Sequence, residues 1–325
     1  MKAAWYERNG AARSVLTVGD METPDPGPGE VRVKVATSGV NPSDVKSRRG
    51  RPLSWPRIVP HSDGAGIIDA VGQNVDHGRI GERVWIWNAQ WKRPLGTASE
   101  YCVLAGEQAV RLPDRVDLAA GACLGIPALT ALQAVRLSGN VAGKTLLVTG
   151  AGSAVGHYAV QIAKERGARV IGTASEAKAE HARSSGADFV IDYKKKDVAK
   201  VAKELTRGKG VDGIIDMDLA STAALIADAV VAPHGTIVSY GSNIAGDIAL
   251  AFPALLWNSY TLKVFVVYEL RPEDRRSAIT ELAALLKSGV LKHSVGPRFD
   301  LRDVAAAHET VEGGLAVGNV IVDVG

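Results

Sequence analysis

The stretch "LLVTGAGSAVGHYAVQIAK", residues 146–164, carries the reading of the fold. It opens on a continuous apolar run, the pattern of a strand buried on both faces. A Gly-rich turn follows, then apolar residues at helical spacing. A helix that starts directly after such a turn offers first-turn amides with no intrahelical acceptor, and its dipole favours an anion. The glycines fit no single fingerprint. Gly150, Gly152 and Gly156 are spaced GxGxxxG, one residue longer than the dinucleotide-binding GxGxxG. The same residues also read as TGxxx[GA]xG through Thr149, Gly150, Ala154 and Gly156.

Downstream, strand and helix patterns alternate. "RVIGTAS", "DFVIDY", "VDGIIDM", "TIVSYGS" and "TLKVFVV" read as strands. Between them "EAKAEHARSSGA", "DVAKVAKELTRGKG" and "TAALIADAVVAPHG" read as helices. Alternation of this kind gives a parallel sheet with helices on both faces, and six strands with a Gly-rich first turn give a doubly wound Rossmann domain. Upstream the pattern is different. "EVRVKVATSGV" (30–40) alternates valines with polar residues, and "GAGIIDAVG" (64–72) and "GERVWIW" (81–87) are short strands between glycines. A helix at 273–288, "GPRFDL", a helix at 302–312 and the strand "NVIVDV" close the chain. The expected fold class is therefore α/β: a β-rich domain of residues 1–120, a Rossmann domain of 121–268, and a segment 269–325 returning to the first.

Bulk properties narrow the function. A length of 325 residues suits about two domains. A net charge of +3, with Lys194–Lys196 as the longest basic run, predicts no nucleic-acid surface. Two cysteines, Cys102 and Cys123, exclude a disulfide scaffold. The uncharged stretch 118–135 is broken by Gly121, Gly125 and Pro127 and reads as a buried helix rather than a membrane span. With no apolar leader in "MKAAWYERNG", a cytoplasmic location is expected.

Several segments, in order along the chain, resemble one family: "SGVNPSDVKSRRG" (38–50), "IVPHSDGAGIIDAVG" (58–72), "RIGERVW" (79–85), "LGIPALTALQAV" (124–135), "GADFVIDY" (186–193) and "AHETVEGG" (307–314). They are similar to the medium-chain dehydrogenase/reductases, within them the zinc-free quinone oxidoreductase, or zeta-crystallin-like, group. The resemblance implies a GroES-like catalytic domain assembled from both chain ends, and a homodimer. The short-chain dehydrogenases, which the TGxxx[GA]xG reading suggests, need a Tyr with a Lys four residues on. No tyrosine here has one.

Within the resemblance, Asn41 stands where zinc-dependent relatives carry a Cys, and Ser62 where they carry a His. Neither is a good zinc ligand, and no Cys lies between Val84 and Ala98 for a structural zinc lobe. No metal is expected. Without a Lewis acid to generate an alkoxide, reduction of a conjugated acceptor suits the site better than alcohol oxidation. The implied activity is NADPH-dependent hydride transfer to quinones or similar conjugated carbonyls. The alternatives are an enal/enone double-bond reductase and a non-catalytic NADPH-binding structural or RNA-binding protein.

The choice of nicotinamide turns on the end of the second Rossmann strand. NAD enzymes place an acid there for the ribose 2′-OH. Here Ala174 holds that position by the resemblance, with Glu176 two residues on. Ser175 and Lys178 follow in the same turn and suit a 2′-phosphate, as does Tyr193 of "IDY"; NADPH is therefore expected over NADH. The pyrophosphate is expected on the amides of Ser153, Ala154, Val155 and Gly156, with Gly152 supplying backbone freedom and the Ser153 hydroxyl an added donor. Tyr240, Gly241 and Ser242 end a strand where the nicotinamide ribose should pass. Thr130 and Asn319 fall in family cofactor-contact regions, although the family usually has Lys or Arg at the latter.

For catalysis, Asn41 is expected to donate from its amide to a developing enolate or quinol oxygen. Asp44 would orient its loop. Lys46 replaces a family tyrosine and would take over polarisation. Trp55 and Trp91 are expected to stack a flat acceptor, with His61 near the same cleft.

Overall fold

A computed structural model describes residues 1–325. The backbone gathers into two compact units, residues 1–126 with 293–325, and residues 127–292. These limits differ from the expected boundaries at 120/121 and 268/269. The helix Pro272–Ser288 belongs to the second unit, where it packs on the helix Leu129–Leu137. Arg136 of the latter donates to Ser277 Oγ at 2.8 Å.

The first unit is built from nine strands: β1 (Lys2–Trp5), β2 (Thr17–Asp20), β3 (Glu30–Val40), β4 (Asp63–Val71), β5 (Arg83–Ile86), β6 (Tyr101–Ala105) and β7 (Ala109–Arg111), then, from the end of the chain, β14 (Val295–Asp300) and β15 (Asn319–Asp323). β1 and β2 pair with each other, and the other seven form one sheet. β3 is its hub. It pairs antiparallel with β4 and β6, and with β15 in the register Val320↔Val40 to Asp323↔Thr37. The valines of the period-2 pattern, Val31, Val33 and Val35, all point into the core. The helix Pro42–Gly50 leaves the end of β3, with Asn41 as its N-cap residue and Pro42 at its first position.

The second unit holds β8 (Thr145–Val148), β9 (Arg169–Ala174), β10 (Phe189–Asp192), β11 (Val211–Asp216), β12 (Val231–Ser239) and β13 (Thr261–Val264). All pair in parallel, in the order β10-β9-β8-β11-β12-β13. That is the Rossmann order, and its direction reverses between β8 and β11. Leu146, Leu147 and Val148 are buried on both faces, as the unbroken apolar run requires. One assignment is corrected. "TAALIADAVVAPHG" is not helical throughout: the helix stops at Ala227 and β12 begins at Val231. Ala229 (φ 48°) turns the chain, and Pro233 denies the helix an amide. His234 (φ 64°) then sits in the irregular register between β11 and β12.

Candidate cofactor site and acceptor pocket

In the second unit, β8 leads into the Gly-rich turn and the helix Ala154–Glu165. Gly150 takes the left-handed backbone, φ +63°. A Cβ on Gly156 would lie 2.1 Å from the Gly150 carbonyl oxygen, so that position closes the turn on the helix. Gly152 is not left-handed, which corrects the expectation that it supplies the backbone freedom. Its hydrogen makes room instead: a Cβ there would meet Lys178 Cβ at 2.7 Å and Lys178 O at 2.8 Å.

The four expected phosphate amides are not equivalent. Ser153 N–H donates to Gly150 O at 2.8 Å, and Gly156 N–H donates to Ser153 Oγ at 3.0 Å. The Ser153 hydroxyl therefore acts as the N-cap acceptor. Ala154 and Val155 occupy the first two helical positions, whose amides have no acceptor within the helix. Both residues are half-buried, at the open end of a twelve-residue helix. The turn fits a pyrophosphate with two amides rather than four.

β9 ends at Ala174, so no carboxylate stands at the last position of that strand. Ser175 is the N-cap residue of the helix Glu176–Ser184, yet its side chain makes no capping bond. Glu176, the nearest acid, pairs with Lys195 at 2.5 Å. Lys178 lies against Gly152 in the same turn, and partial burial lowers its pKa. Tyr193, directly after β10, is 52% exposed. The second-strand end thus presents a hydroxyl, an ammonium and a phenol.

At the switch point, sequence reading missed Asp216. Its buried carboxylate accepts from Thr149 Oγ1 (3.0 Å), Thr222 Oγ1 (2.7 Å) and Ser239 Oγ (2.8 Å). Thr149 follows β8, Asp216 ends β11 and Ser239 ends β12, so one carboxylate ties together the carboxyl ends of three strands. Desolvation still raises its pKa. The only sequence signal was an Asp at the end of an apolar strand. Tyr240 lies just beyond; its hydroxyl is enclosed and unpartnered, and burial raises its pKa. Gly241 has no room for a Cβ against Met217 O, at 2.6 Å. Ser242 Oγ donates to Ile244 O at 3.1 Å, and Thr130 is buried in the helix Leu129–Leu137.

In the first unit, Asn41 joins two buried carboxyls. Its backbone N–H donates to Asp44 Oδ2 and its Nδ2 to Asp63 Oδ1, both at 2.8 Å. Asp63 Oδ2 accepts from Ile126 N–H at 3.2 Å. One of the two hydrogens of the expected amide donor is thus engaged within the protein. Burial pushes Asp44 up to about 7. Asp63 rises well above the carboxylate range, through burial and then the nearby Asp44 charge. Lys46 is exposed on the same helix.

His61 does not line an open pocket; it is fully buried. Its backbone is left-handed, φ 77°, a conformation glycine adopts freely. The hydrogen-bond chain around it fixes its tautomer. Thr97 Oγ1 donates to Asp63 O (2.6 Å), so Ser38 Oγ must donate to Thr97 Oγ1 (2.7 Å). Ser38 Oγ then accepts from His61 Nδ1 (2.7 Å). His61 Nε2 is left to accept from His308 Nε2 (3.0 Å). His308 Nδ1 ends the chain, buried and without a partner. Burial pushes His61 down to about 3 and lowers His308 as well, so both rings are neutral. Asn319 is buried, and one hydrogen of its amide is donated to Ser294 O at 3.0 Å. Trp55 and Trp91 do line one pocket of about 200 Å³, together with Tyr6, Arg51 and Lys92.

Residues 27–114 match the alcohol dehydrogenase GroES-like domain family, and residues 154–285 the zinc-binding dehydrogenase family. The chain is 34% identical over 315 residues to a quinone oxidoreductase of Pseudomonas aeruginosa, covering 95% of each chain. The chain belongs to the quinone oxidoreductase family of the medium-chain dehydrogenase/reductases. Escherichia coli quinone oxidoreductase complexed with NADPH superposes with a TM-score of 0.88 at 27% identity, over 100% of both chains. A structure described as an NAD-dependent alcohol dehydrogenase superposes at 0.90 with 29% identity, again over 100% of both.

For this member of the quinone oxidoreductase family, the zinc in the matched family's description meets an unsuitable donor set. No three His, Cys, Asp or Glu side chains come together as a metal site. The Asp63 oxygens are occupied by Asn41 and Ile126, and the two imidazoles face each other rather than a shared ion. Burial pushes the Cys123 thiol well up, and it donates to Ala119 O.

Proposed function

We propose that this chain is an NADPH-dependent reductase that delivers hydride to quinones or similar conjugated carbonyls, without zinc. One observation carries the cofactor choice. The end of β9 carries no carboxylate at its last position and is followed by Ser175 and Lys178, the latter packed against Gly152 of the Gly-rich turn, while Glu176 is paired with Lys195. An anionic 2′-phosphate gains there, whereas a ribose diol finds no acid. Bound NADPH supplies the hydride. The residues of the chain bind the pyrophosphate, keep the strand ends in place through Asp216, and fix Asn41 between Asp44 and Asp63. In this reading residues 1–126 with 293–325 form the catalytic domain and 127–292 the cofactor domain, in place of the expected limits at 120 and 268. Two free buried cysteines suit a reducing, cytoplasmic setting. The exposed β13 edge suits a homodimer.

The test is steady-state kinetics with both nicotinamides against 1,2- and 1,4-quinones and 2-alkenals. NADPH is expected to give a kcat/KM at least about tenfold above NADH, and Lys178→Ala to raise KM for NADPH about tenfold, as loss of a charge-assisted contact does. Preference for NADH would overturn the cofactor assignment. Turnover of alkenals but not quinones would make the protein a double-bond reductase. NADPH binding without oxidation by any acceptor would make it a non-catalytic binder.

A further inference from the structure

The pocket of the first unit has a composition that names its ligand. Trp55 and Trp91 give it flat apolar surface, and no carboxylate lines it. Arg51, directly after the helix Pro42–Gly50, lays its guanidinium over Trp91 at 5.5 Å from the ring centroid. It makes no salt bridge, and its charge reaches only the buried Asp44, whose pKa it lowers. Lys92, the next residue on, also lies over Trp91, at 5.9 Å. Arg93 completes a cationic rim, though its own guanidinium is tied to Val103 O and Gln108. Tyr6 forms part of the wall. Its ring is core, with 2% of the residue exposed, and its hydroxyl makes no hydrogen bond within the protein. Burial, with the neighbouring Asp44 charge, pushes that phenol up to about 12, so it remains a donor at neutral pH. An aromatic wall, a guanidinium outside any salt bridge and a phenol hydroxyl facing the pocket form a set that no water-filled surface dimple requires.

We propose that this pocket selects a planar aromatic or conjugated acceptor that carries an anionic group, with Arg51 holding the anion, Trp55 and Trp91 stacking the ring and the Tyr6 hydroxyl donating to a ligand oxygen. The ring gains apolar burial and stacking. The anion gains charge-assisted bonds from a guanidinium that is held in no salt bridge. What happens to the bound molecule rests on the reductase reading; what binds does not.

The experiment has two arms. In the first, kcat/KM is measured for menadione and for 1,4-naphthoquinone-2-sulfonate with wild type and Arg51→Ala. The quinones differ in intrinsic reactivity, and that difference cancels between proteins. Arg51→Ala is expected to lower the sulfonate value about tenfold more than the menadione value, through KM, and the gap is expected to shrink at high salt. In the second arm, naphthalene-2-sulfonate, which accepts no hydride, is titrated calorimetrically. Arg51→Ala is expected to weaken it about tenfold, Arg51→Lys to restore part of the loss, and Tyr6→Phe to weaken it severalfold. Equal values for Arg51→Ala and wild type in both arms would overturn the proposal. Arg51-dependent binding with no quinone reduced would uphold the pocket and remove the reductase reading. Reduction of both quinones with no Arg51-dependent difference would do the reverse.

Discussion

Asp44 shows how far one residue's environment departs from its sequence. In the sequence, "NPSD" reads as a loop that Asp44 orients. In the fold the carboxyl is buried beside a second one, Asp63, with Asn41 bonded to both. Its pKa of about 7 makes a stability prediction. In the unfolded chain the group ionises near pH 4. Between about pH 4 and pH 7 the folded state holds the proton that the unfolded state has lost, so stability falls as pH rises through that window. Asp44→Asn removes this slope. The Tm of the variant relative to wild type should rise across the window, by an amount that reflects a few kcal/mol. A Tm difference that stays flat with pH would show that Asp44 ionises normally. The buried imidazoles act in the opposite sense. Their pKa values are depressed, so the unfolded state binds more protons and stability falls as pH drops below about 6.5. None of this was legible in the sequence, because desolvation is set by what packs around a side chain.

At the scale of elements, the strand, turn and helix of residues 146–164 were legible, but not the division of labour among the glycines. Spacing cannot say which glycine is left-handed and which is merely crowded. Gly152 is the crowded one, because the start of the helix Glu176–Ser184 packs its Lys178 there. Gly152→Ala must therefore displace the Lys178 turn. The expected outcome is a rise in KM for NADPH of about tenfold, comparable with Lys178→Ala, and a much smaller change in KM for NADH. Fluorescence titration of both nucleotides checks this; equal weakening of the two would mean that Lys178 does not read the 2′-phosphate. The misread segment near 222–235 has a similar origin. Its alanines favour helix, but the Pro-His-Gly at its end and pairing to β11 draw the chain into β12.

At the scale of the molecule, the parallel sheet of the second unit ends on β13, and the apolar residues there are unusually open. Val264 is 68% exposed, and Trp257 and Phe252 of the preceding helix are 84% and 66% exposed. An unpaired edge with such side chains is a template for an isologous partner. Light scattering coupled to size exclusion should find a dimer, and Trp257→Asp with Val264→Lys should yield a folded monomer with a native circular dichroism spectrum. A wild-type monomer would dispose of the homodimer.

By itself the sequence determined the α/β alternation, the family and the place of the Gly-rich turn. Those follow from periodicity and short-range backbone chemistry, which are written residue by residue. The tertiary structure decided which amides remain for phosphate, which carboxyls share Asn41, that His61 points at His308 rather than at a ligand, and that Tyr6 meets Arg51, Trp55 and Trp91 at one pocket. Each is a meeting of groups far apart in the chain, and hydrogen bonding, burial and charge act over ångströms of space rather than along the sequence.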